Sequence, residues 1–255
     1  PARAVLERIV LNDDVEHVRV AAAYALGEMG DQGAVSVLKK ALEDEGTVVR
    51  LATASSLVRL GDESALPILS EALGVLNERV RISAAEGLGR AGNKIAVAPL
   101  IEALDNRIPL IRASVIGALG MLGDSSVLPA LEPAFKDPDW FVRASVAEAL
   151  GEISDPAGVP HLEPLLKDEE WHVRQAAVNA LGAIGGESAL SLLRDRLQDD
   201  DWRVRLSAAQ VIGRSGTDAA MPILQRHRKD ENKRVQIAVA EALLRLKGRG
   251  AGQGQ

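Results

Sequence analysis

The side chains most able to do chemistry in this 255-residue chain recur on one period. Arg19, Arg50, Arg81, Arg112, Arg143, Arg174 and Arg205 follow at 31-residue steps, each directly after a valine or isoleucine, and Gln236 takes the next step without the charge. A row of guanidinium groups could form a phosphate or carboxylate track. It could also bridge acidic and carbonyl groups between neighbouring units, where bidentate bonding fixes geometry. The structural role is the better reading, because Asp13, Asp44, Asp137, Asp168, Asp199 and Asp230 recur beside the row and cancel much of its charge. A nucleic-acid track would want surplus basic residues along the same face.

A second row is aromatic. Trp140, Trp171 and Trp202 share one phase in three consecutive units, where earlier units carry Glu16, Thr47, Glu78 and Pro109. Phe141, His172 and Arg203 occupy the next phase. Adjacent helices spaced at roughly 10 Å would set three indoles in a row. Tryptophan is a frequent interface anchor because it buries much area and keeps a polar handle. Packing over a neighbouring loop and contact with a partner are both open readings. One turn further on lie Val20, Leu51, Ile82, Ala113, Ala144, Gln175, Leu206 and Ile237, and a turn beyond those Tyr24, Ser55, Glu86, Gly117, Glu148, Asn179, Gln210 and Glu241. Val20, Leu51 and Ile82 read as groove floor or as core. The candidate partner-binding residues are therefore Trp140, Phe141, Trp171, His172, Gln175, Asn179, Trp202 and Gln210.

Catalysis finds little support. His17, His161, His172 and His227 form no His-x-x-x-His or His-Glu-x-x-His spacing. No serine lies in a Gly-x-Ser-x-Gly elbow, and the glycines recur as repeat turns rather than a phosphate loop. The chain has no cysteine, which excludes disulfides, thiolate metal sites and covalent chromophore attachment to a cysteine. No catalytic residue, metal or cofactor is expected. Hydrophobic residues make up 47% of the chain, enough to fold, yet no window is long and apolar enough to span a membrane. A chain opening on Pro1 is expected to be a processed or trimmed product. The net charge of −6 argues against a general nucleic-acid binder. It is uneven: Arg226 to Arg249 holds eight basic residues against Asp230, Glu231 and Glu241. That end reads as a solvated cap or as a docking surface for an acidic patch.

The elements that must position these rows are helices. Within 137–153, Val142, Val146, Ala149, Leu150 and Ile153 recur at three- and four-residue steps. An aspartate ahead of most such helices can accept backbone N–H groups at the helix start; Val75 and Asn106 fill that slot in the third and fourth units, and only the asparagine can do the same job. The helices close near Gly30, Gly61, Gly92 and Gly123, where a left-handed turn is expected, and the polar residue that follows starts the next helix. A shorter helix precedes each long one, near 33–43, 64–74, 95–105, 126–136, 157–167, 188–198 and 219–229, and residues 2–11 complete a first pair. Pro133 and Pro164 lie far enough inside to bend or break the fifth and sixth short helices. A pair cannot bury its apolar face alone, so the pairs stack. Small residues such as Gly27, Gly89 and Gly151 permit close approach. The expected fold is all-α, a right-handed α-α superhelix of eight helix pairs. One solenoid would span residues 1–247, with a flexible tail over 248–255.

The pattern Asp-x-x-x-x-Val-Arg-x-x-Ala-x-x-Ala-Leu-Gly-x-x-Gly-Asp resembles the bacterial and archaeal HEAT-like repeat of the phycobilisome-lyase type. Asp13 and Asp44 match its capping aspartate, and the seven arginines match its signature arginine. The resemblance covers about residues 2 to 247. It implies that the second helix of each pair lines the concave face. It also implies a non-catalytic, cytoplasmic protein-interaction scaffold that binds a protein or peptide there and can form a hetero-oligomer. The alternatives are a subunit of a bilin lyase or isomerase, a phycobilisome-associated factor, and a helical-repeat nucleic-acid binder. Repeat hydroxylases that hold iron use His-Glu pairs at the start of the second helices. Here His17 is followed by valine, which speaks against that activity.

Overall fold

The computed structural model describes residues 2–215 and 219–251. Contacts between Cα atoms divide the chain into two compact units, Pro1–Ala130 and Leu131–Gln255. In the first, short helices α1 (Ala2–Asn12), α3 (Val35–Ala41), α5 (Leu66–Ala72) and α7 (Val97–Ala103) alternate with long helices. The long helices are α2 (Glu16–Glu28), α4 (Thr47–Arg59), α6 (Glu78–Ala91) and α8 (Pro109–Leu122). The boundary falls within α9 (Leu128–Leu131). The second unit contains α10 (Trp140–Ile153), α11 (Val159–Leu165), α12 (Trp171–Ile184), α13 (Gly186–Arg196), α14 (Trp202–Ser215), α15 (Ala220–Arg226) and α16 (Lys233–Ala251). Every regular element among the described residues is helical, as an α-α solenoid requires. None of these helices is long and apolar enough to cross a membrane.

Each unit is held by its long helices lying side by side in chain order. In the first, α2 packs on α4, α4 on α6 and α6 on α8; in the second, α10 packs on α12, α12 on α14 and α14 on α16. Leu26, Leu57, Leu88 and Leu119 from the long helices and Leu38, Leu69 and Leu100 from the short ones are at most 1% exposed. Each such side chain contributes about 1.5–3 kcal/mol on leaving water. The close approach depends on small residues. A Cβ placed on Gly89 would lie 2.8 Å from the Ala118 Cα, so α6 and α8 cannot pack this closely with a larger residue there.

The turns follow the sequence reading with two corrections. Gly30, Gly61, Gly92 and Gly123 are left-handed, and Asp31, Asp62, Asn93 and Asp124 each accept the N–H two residues ahead, at the 3-10 turn opening the short helix. Ser154 fills the same left-handed slot with φ 53° and holds it by donating to the Gly151 carbonyl at 2.6 Å. The recurring aspartates such as Asp44 and Asp168 do not cap the long helices, which is the first correction. Asp44 accepts from Gly46 N and Asp168 from Glu170 N, two residues earlier than the helix needs. The caps are residues such as Asn77 and Asp139, which accept from Val80 N and Phe141 N. The second correction concerns proline. Pro133 does break its helix, since α9 gives way to a 3-10 turn over Glu132–Lys136, but α11 carries Pro164 in its last turn without interruption. At the C-terminal end, α16 runs to Ala251 where a tail is expected from 248; Gly252–Gln255 lie outside the described residues.

Freed from capping, the aspartates bind the arginines. Arg19 donates through Nε and Nη2 to both carboxylate oxygens of Asp44, at 2.7 and 2.9 Å, and through Nη1 to the Asp13 carbonyl at 2.8 Å. Arg143 treats Asp168 and the Asp137 carbonyl alike. Arg174 does so with Asp199 and Asp168, and Arg205 with Asp230 and Asp199. Gln236 keeps half the device, donating to the Asp230 carbonyl at 2.6 Å. Arg19, Arg143, Arg174 and Arg205 thus form bidentate ties between consecutive repeats.

Candidate functional site

The three tryptophans open three neighbouring helices of the second unit, Trp140 on α10, Trp171 on α12 and Trp202 on α14. The residue that follows the tryptophan slot in each next repeat covers the ring before it. His172 stacks on Trp140 with centroids 4.5 Å apart, and Arg203 lies over Trp171 at 4.4 Å. Arg234 lies over Trp202 at 5.2 Å. Two more contacts close the gaps, since His172 also stacks on Trp171 at 3.6 Å and Arg203 reaches Trp202 at 5.1 Å. The result is one continuous stack: Trp140, His172, Trp171, Arg203, Trp202, Arg234. A cation over an indole contributes about 0.5–2 kcal/mol depending on exposure, and an aromatic pair about 0.5–1.5 kcal/mol.

The stack is not uniformly covered. Trp171, His172 and Trp202 are half-buried, and His172 Nδ1 is buried without a hydrogen-bond partner. At the other end Trp140 is 37% and Phe141 42% exposed, and the two rings meet edge-on at 5.8 Å. Large aromatic area is therefore presented to solvent at the start of α10.

The polar candidates divide. Gln175 donates to Ser207 Oγ at 3.0 Å, which ties α12 to α14 and uses part of its side chain. Asn179 and Gln210 are exposed, but each lies eight residues beyond a tryptophan slot, about 12 Å along the helix. They do not join the aromatic stack. Gln210 instead borders an open cleft with Gly213, Arg214, Ala238, Glu241, Ala242 and Arg245. In the first unit, Leu51 and Ser55 are buried, so that part of the expected groove floor is core, while Val20 and Ile82 are half-buried. Arg234, which the sequence places only in a basic end, belongs to the stack. Its signal was the one-residue offset that already linked Phe141, His172 and Arg203.

The remaining titratable groups are dispersed. His161 stacks on Phe135 at 5.4 Å, and partial burial lowers the His227 imidazole below its ordinary value. Partial desolvation raises the Glu148 and Glu152 carboxyls on α10, with the charge of Glu148 adding to the rise at Glu152. Among the described residues no three of His, Asp and Glu are arranged to hold a metal ion.

A family model of HEAT repeats matches residues 4–75, 75–150, 133–213 and 196–253. No curated protein matches the sequence. Among solved structures, the chain is similar to the complex of CpcE and CpcF of phycocyanin lyase from Nostoc sp. PCC7120, at 23% identity and a TM-score of 0.51, covering 96% of this chain and 94% of that one. It is similar to the Escherichia coli protein YibA at 22% identity and a TM-score of 0.53, covering 96% and 92%. Human deoxyhypusine hydroxylase in complex with glycerol aligns over 97% and 96% at 19% identity, with a TM-score of only 0.44. Identities this low speak for the fold alone.

Proposed function

We propose that this chain, which belongs to the HEAT-repeat family, is a non-catalytic scaffold that binds a partner protein or peptide on the surface of its long helices. The observation that carries the reading is the aromatic stack of the second unit with its open end at Trp140 and Phe141. Half-buried rings held between stacked neighbours lose little freedom when a partner arrives, which lowers the ordering cost of binding. Trp140 and Phe141 supply apolar anchors, Trp171, His172 and Trp202 hold the rim, and Gln175, Asn179 and Gln210 offer amide groups further along the helices. A hetero-oligomer is the natural product of such a surface.

The test compares capture by the wild-type chain and by a Trp140→Ala, Phe141→Ala double variant, followed by titration of the captured protein with purified components. Binding weakened by roughly tenfold or more in a variant that melts like the wild type supports the reading. Equal affinity returns the rings to a purely structural role. A captured protein that carries a bilin would move the lyase-subunit reading ahead.

A further inference from the structure

The ties between repeats are interrupted at two consecutive steps of the first unit, where Val75 and Asn106 stand in the aspartate position. In a complete tie, the arginine grips the carboxylate 25 residues on, as Arg19 grips Asp44, and Nη1 takes the carbonyl six residues back. Each aspartate thereby serves two arginines, one through its carboxylate and one through its carbonyl. Position 75 should hold such an aspartate, and Val75 stands there instead. Arg50 thereby loses the carboxylate that it would grip, and Arg81 is also left short. Arg50 bonds only inside its own repeat, to the Asp44 and Glu45 carbonyls and to Thr47 Oγ1. The nearby Asp44 carboxylate is already occupied by Arg19 and Gly46 N. The Arg81 side chain makes no hydrogen bond or ion pair among the described residues, and its Nε is buried without a partner. Its own cross-repeat position holds Asn106, whose side-chain oxygen accepts from Ile108 N. The segment bridging the gap is open: Val75 is 39% and Leu76 98% exposed.

We infer that this gap in the first unit is a docking site for an extended acidic segment of a partner protein, whose Asp or Glu carboxylate completes the missing tie while an apolar neighbour packs on Leu76. The chain itself shows what these guanidinium faces accept. At Asp44, Asp168, Asp199 and Asp230 they take a carboxylate through two parallel bonds of 2.7–3.1 Å. A half-buried guanidinium forms such charge-assisted bonds more strongly than an exposed one. A fully exposed leucine beside two underused cations matches a ligand that pairs acid with apolar surface. This site lies in a different unit from the aromatic stack and stands or falls independently of it.

The decisive variant is Val75→Asp, which supplies the missing carboxylate from within. Its probe is a fluorescein-labelled peptide of aspartates interspersed with leucines, set against the same peptide with asparagines. Wild type should prefer the acidic peptide by roughly tenfold, with the preference fading as salt rises. Val75→Asp should abolish the preference and raise the melting temperature by about 2–4 °C, as one restored tie predicts for a chain of this size. Arg50→Gln should abolish the preference without that gain. Equal binding of both peptides by wild type, or an undiminished preference in Val75→Asp, overturns the inference. Displacement of the acidic peptide by inorganic phosphate would replace the carboxylate assignment with a general oxyanion site.

Discussion

At the scale of the residue, the tie between repeats shows how a surface-type interaction becomes structural. Asp168 and Arg143 each keep only 10% of their side-chain surface, so solvent does little to screen them. Burial raises the Asp168 carboxyl, but the hydrogen bonds from Arg143 and Glu170 N and the charges of Arg143 and Arg174 outweigh it and hold the group below the usual carboxylate range. A depressed folded value means that the unfolded chain takes up its proton first as pH falls. The stabilisation is complete above the ordinary value of about 4 and is lost as pH drops from there through the folded value. Asp168→Asn should therefore cost about 3 kcal/mol at pH 7, because it leaves a buried guanidinium without its counter-charge. It should also flatten the acid limb of stability, which urea melts between pH 7 and pH 3 would reveal. An unchanged acid limb would show that other carboxylates govern it.

At the scale of the element, the long helices are set by how near they can come to one another. A Cβ on Gly89 would meet the Ala118 Cα at 2.8 Å, closer than real Cβ atoms come, and one on Gly151 would meet the Ala180 Cα at a tight 3.0 Å. Gly89→Ala would gain helix propensity of about 1 kcal/mol in an isolated helix. Here overpacking wins, and a net loss of about 1–2 kcal/mol in the urea midpoint analysis is expected. Stabilisation by the same substitution would mean that α6 and α8 can separate freely. The short helices respond to proline by position. Pro133 falls where α9 would have to continue and converts the chain to a 3-10 turn, whereas Pro164 is followed only by Leu165 within α11.

At the scale of the whole molecule, each helix pair leans only on its neighbours, so stability is close to a sum of local terms within each unit. That sum is uneven. Every residue of α4 from Leu51 to Val58 is buried, while Leu244, Arg245, Lys247 and Gly248 near the end of α16 are exposed. Hydrogen exchange should be slowest in the centre of α4 and faster by orders of magnitude past Leu246. Uniform protection along the chain would contradict a nearest-neighbour array. The same locality lets one altered residue, Val75, open a tie without disturbing the others.

Much of this was legible in the amino-acid sequence because a repeat states its rules many times. The 31-residue step of arginine, leucine and glycine marked the helix pairs, their turns and the buried leucines, since each position meets the same environment in every repeat. The inter-repeat role of the arginines followed from their nearness to aspartate. What the sequence left open turned on contacts between repeats. Whether Asp44 capped a helix or gripped Arg19 depended on which N–H groups and which guanidinium lay within 3 Å, and both fit the same spacing. Leu51 could be floor or core until the packing of α4 buried it. Trp140, Trp171 and Trp202 shared a phase, but only the tertiary structure brought His172, Arg203 and Arg234 onto their faces. Stacking is decided by where the next helix sets its side chains, and a linear period fixes the order of those residues without fixing their separation.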